Sequence, residues 1–437
     1  MRLHIIASAI AFGIGAAALA VSAQGDERGR DATFRQLELF GDILSRIESD
    51  YVSDPDQAEL IEAAINGMLS SLDPHSAYLN ADSFRDMQVS TRGEYGGLGI
   101  EVTLRDDFVT VVSPIAETPA DRAGIEPEDR IIAVDGESMI GVGIDVAVER
   151  MRGSAGEPVT ITISRDGVEP FDVTIVRAVI EVRSVIYRME ANNTPYLRIT
   201  TFNEHTTEAT MRALEDLREA HGGPLPGLIL DLRSNPGGLL DQSVSVSDLF
   251  LSGGEVVSTR GRDPRNTYRF NARPGDVLDG APIVVLMNAG SASAAEIVAG
   301  ALRDRERAVL MGTNSFGKGS MQTVIPLRGG RDGALRLTTA RYYTPSGTSI
   351  QATGLEPDIA IGFRRPREGE VNRFSEASLR NALTNETGAE RREREDTEYP
   401  PEDWPEDEDY QLHRALEQLY AMMERREARA PSGNRQP

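Results

Sequence analysis

The 437-residue chain contains no cysteine. That excludes disulfides, a cysteine nucleophile, thiolate metal sites and a lipidated N-terminal cysteine. Histidine is scarce: His4, His75, His205, His221 and His413 are the full set, and no H-E-x-x-H zinc pattern exists among them. Positive charge is also in deficit. A formal net charge of -23 leaves no basic footprint for a nucleic acid. No metal, cofactor or nucleic-acid partner is therefore expected. Lysine is the rarest absence of all. Of 46 basic residues, Lys318 is the only lysine.

What is present begins with a targeting signature. Arg2 gives a positive start, Ile5 to Val21 is apolar, and Val21-Ser22-Ala23 offers small residues before Gln24. This pattern predicts a secretory signal peptide over residues 1–23. An uncleaved anchor is the other reading, since the run approaches a bilayer's span. Either reading exports the remainder. Further along, no stretch is apolar enough to span a membrane.

Texture then divides the chain. Residues 31–90 read as helical, with Leu37, Phe40, Leu44 and Ile47 at helical spacing and Asp73-Pro74 as a stop. Residues 91–180 read as short alternating strands with one helix near Gly143 to Met151. Residues 183–363 read as α/β, with apolar strands at Pro226 to Leu232 and Ala281 to Met287 and a helix from Ser293 to Leu302. Residues 364–437 form a charged, solvated linker followed by an amphipathic helix over Leu412 to Met423. The expected fold class is thus α/β multidomain, with helical N- and C-terminal segments.

Lys318 lies in Ser315-Phe316-Gly317-Lys318-Gly319-Ser320, between two glycines. Arginine stays protonated, whereas a desolvated lysine can give up its proton. A site needing only positive charge could have used arginine, as the rest of the chain does. Lys318 is therefore a candidate general base. Its candidate nucleophiles are Ser291 and Ser293, in a small-residue turn between an apolar strand and a helix. The orphan N–H groups at that helix end favour developing negative charge. Alone, either serine reads equally as an ordinary helix cap.

Several segments together carry a family resemblance. Asp231-Leu232-Arg233-Ser234-Asn235-Pro236-Gly237-Gly238, Gly290-Ser291-Ala292-Ser293-Ala294-Ala295-Glu296 and Phe316-Gly317-Lys318-Gly319-Ser320-Met321-Gln322 stand in the order found in carboxyl-terminal processing proteases, peptidase family S41. Ser71-Leu72-Asp73-Pro74-His75-Ser76 and Tyr342-Tyr343-Thr344-Pro345 agree as well. Gly96-Gly97-Leu98-Gly99-Ile100 resembles the carboxylate-binding loop of a PDZ domain, which glycines suit by letting N–H groups converge on an anion.

The resemblance implies a crotonase-like (ClpP/crotonase-type) protease core with an inserted PDZ-like β domain. Residue by residue, it implies Ser293 as nucleophile, Lys318 as base and Gln322 as the group orienting the lysine. It implies an oxyanion hole from the backbone N–H groups of Gly238 and Ala294. Gly97, Leu98, Gly99 and Ile100 would take the substrate's C-terminus, and Arg165 would help couple that binding to activation. Periplasmic protein substrates, homo-oligomers and room for an adaptor protein follow from the same likeness. The main alternative is an inactive PDZ-type scaffold, against which the retained Ser293, Lys318 and Gln322 argue. A histidine-dependent hydrolase lacks its G-x-S-x-G elbow.

Overall fold

The computed structural model describes residues 32–105, 108–365, 374–392 and 394–429. The expected signal segment lies outside the described residues. Contacts divide the chain into two compact units between Leu69 and Ser70. In the first, a helix runs over residues 32–50 and a second begins at Gln57. Leu37 and Phe40 on the first helix are exposed. Among the described residues, no helix is long and apolar enough to cross a membrane.

The larger unit contains two sheets that carry the core. One has six strands, in the order Val185–Glu190, Thr194–Ile199, Leu228–Asp231, Ile283–Met287, Ala308–Gly312 and Ile359–Ala360. The first pair is antiparallel and every later pair parallel. Strands Leu228–Asp231 and Ile283–Met287 are buried throughout, which explains their unbroken apolar runs. The other sheet is antiparallel and centres on Ala334–Tyr343, which pairs with Ser320–Pro326, Gly254–Gly261 and the short strand Ala77–Leu79. That last strand sits inside the stretch expected to be helical. Asp73 caps the turn before it by accepting the N–H groups of His75 and Ser76.

Residues 100–176 build a separate six-stranded antiparallel sheet with its own core around Val111, Ile131 and Ile161. Helix Ile144–Met151 lies beside its edge strand, Ile100–Arg105. A two-stranded ribbon, Glu94–Gly97 with Ala178–Glu181, closes the two ends of the insertion together.

The segment after 364 departs from the expected solvated linker. Glu398 forms a parallel bridge with Ile361, Arg391 donates to the Ser315 carbonyl, and Glu376 is fully buried. Helix Tyr410–Arg429 then docks Leu412, Ala415 and Leu419 against Ile229, Val284 and Leu286 of the six-stranded sheet. Charge density misled only in part. Glu376, Arg391 and Asp409 find fixed partners on the core, while Glu402, Asp403, Glu406, Asp407 and Glu408 stay exposed.

Candidate active site

Strand Ile283–Met287 ends at a tight turn, and helix Ala294–Asp304 begins directly after Ser293. Ser293 takes φ 55° and ψ −114°. Such a conformation in a residue with a Cβ costs on the order of 1–3 kcal/mol. Strand, strained turn and helix is the geometry that lifts a nucleophilic serine out of its backbone. The neighbours Ala292, Ala294 and Ala295 are small enough for the buried helix to enter the core.

Ser291 has a different occupation. Its hydroxyl donates to the Leu232 carbonyl at 2.8 Å and accepts the Asn288 N–H at 2.9 Å. It fastens one turn to another, and its single O–H is already committed. Between the two candidate serines, geometry favours Ser293.

Glu296 ties the site together. It is fully buried. One oxygen accepts the Ser293 N–H at 2.8 Å and the Lys318 N–H at 2.9 Å. The other accepts the Gly317 N–H at 2.8 Å and the Ser315 hydroxyl at 2.5 Å. Burial pushes this carboxyl up to about 7, against the pull of its four donors. The Ser293–Glu296 spacing is that of a capping box, which is the signal that could have singled it out.

Lys318 is mostly buried, and burial moves its amine below the usual lysine range. The negative charge of Glu376 opposes that shift most strongly, and Arg336 reinforces it. Among the described residues, no hydrogen bond joins the Lys318 amine to the Ser293 hydroxyl. The Ser293 hydroxyl is instead close enough to the Tyr342 phenol to pull back its proton affinity, which burial pushes up to about 12. Gln322 is likewise engaged elsewhere. Its amide nitrogen donates to the hydroxyls of Ser320 and Thr338, each at 3.1 Å, and not to any group of Lys318.

Two backbone donors stand free beside Ser293. Among the described residues, neither the Gly238 N–H nor the Ala294 N–H makes a hydrogen bond. The Gly237 N–H, by contrast, is held by the Asn235 side chain at 2.8 Å. Gly237 and Gly238 have φ of 103° and 142°. A Cβ on Gly237 would come within 2.8 Å of the Ser293 Cβ, so the loop passes directly against the nucleophile's turn. Asn235 joins the two by accepting the Ala292 N–H on its carbonyl. Behind it, Asp231 grips Arg233, and Arg233 reaches Asp409 at 2.7 Å.

In the inserted domain, Gly97, Leu98, Gly99 and Ile100 all line one cavity of about 220 Å³. Val148 and Met151 of the helix face it, with Tyr95 and Arg152 at one end. The Arg152 guanidinium lies 4.9 Å from the Tyr95 ring. Among the described residues, the N–H groups of Leu98 and Gly99 make no hydrogen bond. Arg165 is bound within its own domain, to Asp129 at 2.7 Å and Glu126 at 2.8 Å.

A model of peptidase family S41 matches residues 193–361 and a PDZ domain model matches residues 110–165. A model of the N-terminal domain of the activating protease CtpB matches residues 15–83. A carboxy-terminal-processing protease of Bartonella bacilliformis is 54% identical over 75% of this chain and 76% of its own length. The carboxy-terminal processing protease CtpA of Bacillus subtilis is 35% identical over 75% of this chain and 69% of its own. Among solved structures, the photosystem II D1 C-terminal processing protease is 28% identical, covering 73% of this chain and 91% of that one with a TM-score of 0.42.

Proposed function

Because the chain belongs to the carboxy-terminal-processing serine proteases of peptidase family S41 and carries a PDZ domain, we propose that it is an exported endopeptidase working through Ser293 and Lys318. The observation that carries this reading is one fully buried carboxyl group, that of Glu296, bonded to the backbone of both residues.

In the proposed reaction, the neutral Lys318 amine takes the proton from the Ser293 hydroxyl. The serine oxygen attacks the scissile carbonyl carbon. The resulting oxyanion accepts hydrogen bonds from the N–H groups of Gly238 and Ala294, each donor lowering the barrier by about 3 kcal/mol. The ammonium then protonates the departing amine. Water releases the acyl-enzyme by the same proton path in reverse.

The arrangement described above is the resting one in this reading. Activation requires the Ser293 side chain to leave Tyr342 and the Lys318 amine to turn toward it. Gln322 then orients the amine. Its amide oxygen makes no hydrogen bond among the described residues, which leaves an acceptor for an ammonium. A substrate C-terminus in the PDZ groove supplies the trigger, its carboxylate taken by the free N–H groups of the Gly97 to Ile100 loop. Substrates are periplasmic proteins, with or without an adaptor, and the enzyme works as a homo-oligomer. The core belongs to the crotonase-like group.

The test is cleavage of an unfolded substrate protein, read by mass spectrometry of its fragments. Ser293→Ala and Lys318→Arg should each abolish cleavage. Full activity in the arginine variant would remove the lysine from the base role.

A further inference from the structure

Buried ionisable groups that the cleavage steps leave unused surround the lysine loop. Glu376 is fully buried, and both its oxygens lie close to the His75 ring nitrogen Nε2, at 2.8 and 3.0 Å. Gln351 donates to Glu376 at 3.0 Å and accepts the Gly319 N–H at 3.0 Å. The Glu376 N–H donates to the Phe316 carbonyl at 3.0 Å. The glycine-lysine-glycine loop is thus held on one flank by the Gln351 side chain and on the other by the Glu376 backbone, and the two residues are bonded to each other.

The charges of Glu376, Arg336, Glu296 and Asp73 act on the Lys318 amine. Their availability differs. The Glu296 carboxylate is saturated by four donors. Asp73 also takes four, from His75, Ser76 twice and Thr338. Among the described residues, Glu376 takes only the Gln351 amide and the His75 ring. Its pull on the amine therefore depends on how far His75 neutralises it. A ring N–H drawn onto the carboxylate weakens that pull whether or not the ring carries a second proton.

We propose that His75 and Glu376 are positioning residues that set the charge on Lys318: Glu376 holds the amine as ammonium at rest, and His75 limits that hold so that the amine can become a base. This rests on the Ser293–Lys318 reading of the function.

The sole lysine makes the test direct, because ε-13C-lysine labelling of the full chain gives one resonance whose pH titration reports Lys318 alone. Removing the carboxylate charge with Glu376→Gln should lower the titration midpoint by about one unit or more. Removing the ring with His75→Ala should raise it. His75→Gln, whose amide can donate from nearly the same place, should restore the wild-type value. The acid limb of the pH profile of kcat/KM should move in the same directions. A midpoint unmoved or raised in folded Glu376→Gln, or shifts of one sign in Glu376→Gln and His75→Ala, would overturn the proposal. Should His75→Ala unfold, Glu376→Gln against His75→Gln decides alone. Retained activity in Lys318→Arg would instead defeat the protease mechanism and leave these lysine titrations standing.

Discussion

Ser293 and Lys318 hang from one oxygen of Glu296, by N–H bonds of 2.8 and 2.9 Å. The two residues are joined through their backbones while their side chains face other partners. Such a frame fixes where the reacting groups start from and leaves their rotamers free to change. It also explains how a serine at φ 55° is held, since its strain is offset by the hydrogen bond from its N–H to a fully buried carboxyl group.

Glu296→Gln keeps the volume but turns an –NH2 group toward at least one of the N–H or O–H donors. Activity should fall at least 100-fold, corresponding to about 3 kcal/mol for a buried donor left facing a donor. A pH signature accompanies it. The folded-state carboxyl is pushed up to about 7 from an ordinary 4.5, so its contribution to stability is full below pH 4.5 and is lost as pH rises to about 7. Denaturant unfolding across that window should show a slope in the wild type that the variant lacks.

Burial lowers the proton affinity of the Lys318 amine. The rate should therefore rise with pH as the ammonium gives up its proton, with a midpoint below the ordinary lysine value of about 10.4. A kcat/KM profile with no such rising limb would contradict a lysine base.

Gly238→Ala tests the free backbone donor. A Cβ there would meet the Phe202 carbonyl oxygen at 2.1 Å, and φ of 142° is strained for any side chain. The loop must shift, carrying its N–H away from the nucleophile. The expected result is a loss of 100-fold or more in kcat with little change in KM, measured on a short peptide substrate.

The groove of the inserted domain can be tested apart from the chemistry. Val148→Glu places a carboxylate on an apolar wall that faces the proposed peptide terminus. Affinity for a C-terminal peptide, followed by fluorescence anisotropy, should drop at least 10-fold through charge repulsion and desolvation. Amidation of the peptide's terminus should weaken binding to the wild type in the same way.

Much of the fold was legible because periodicity reports burial. Helix Ile144–Met151 forms where Gly143 to Met151 reads as helical, and strand Arg130–Val134 lies in the stretch that reads as alternating strands. Strand Leu228–Asp231 and helix Ala294–Asp304 lie within or close to their apolar runs. The strands Val185–Glu190 and Thr194–Ile199 were not legible. The first is an edge strand with exposed Ile186 and Tyr187, so its pattern lacks a buried face. At the site, the quoted motifs contained Ser293, Lys318 and Gly238. The joint role of Glu296 could not be read, since three of its donors come from the lysine loop. Glu376 lay in a segment whose composition says solvent, and only tertiary packing reveals it as buried.

Asp409 belongs to the tail, yet it clasps Arg233, which clasps Asp231 at the root of the loop that carries Gly238. A copy ending at residue 408 would keep every reacting group and lose the outermost link of that chain. The tail therefore sets a boundary for the chain itself: erosion past Asp409 would remove the clasp behind the Gly238 loop.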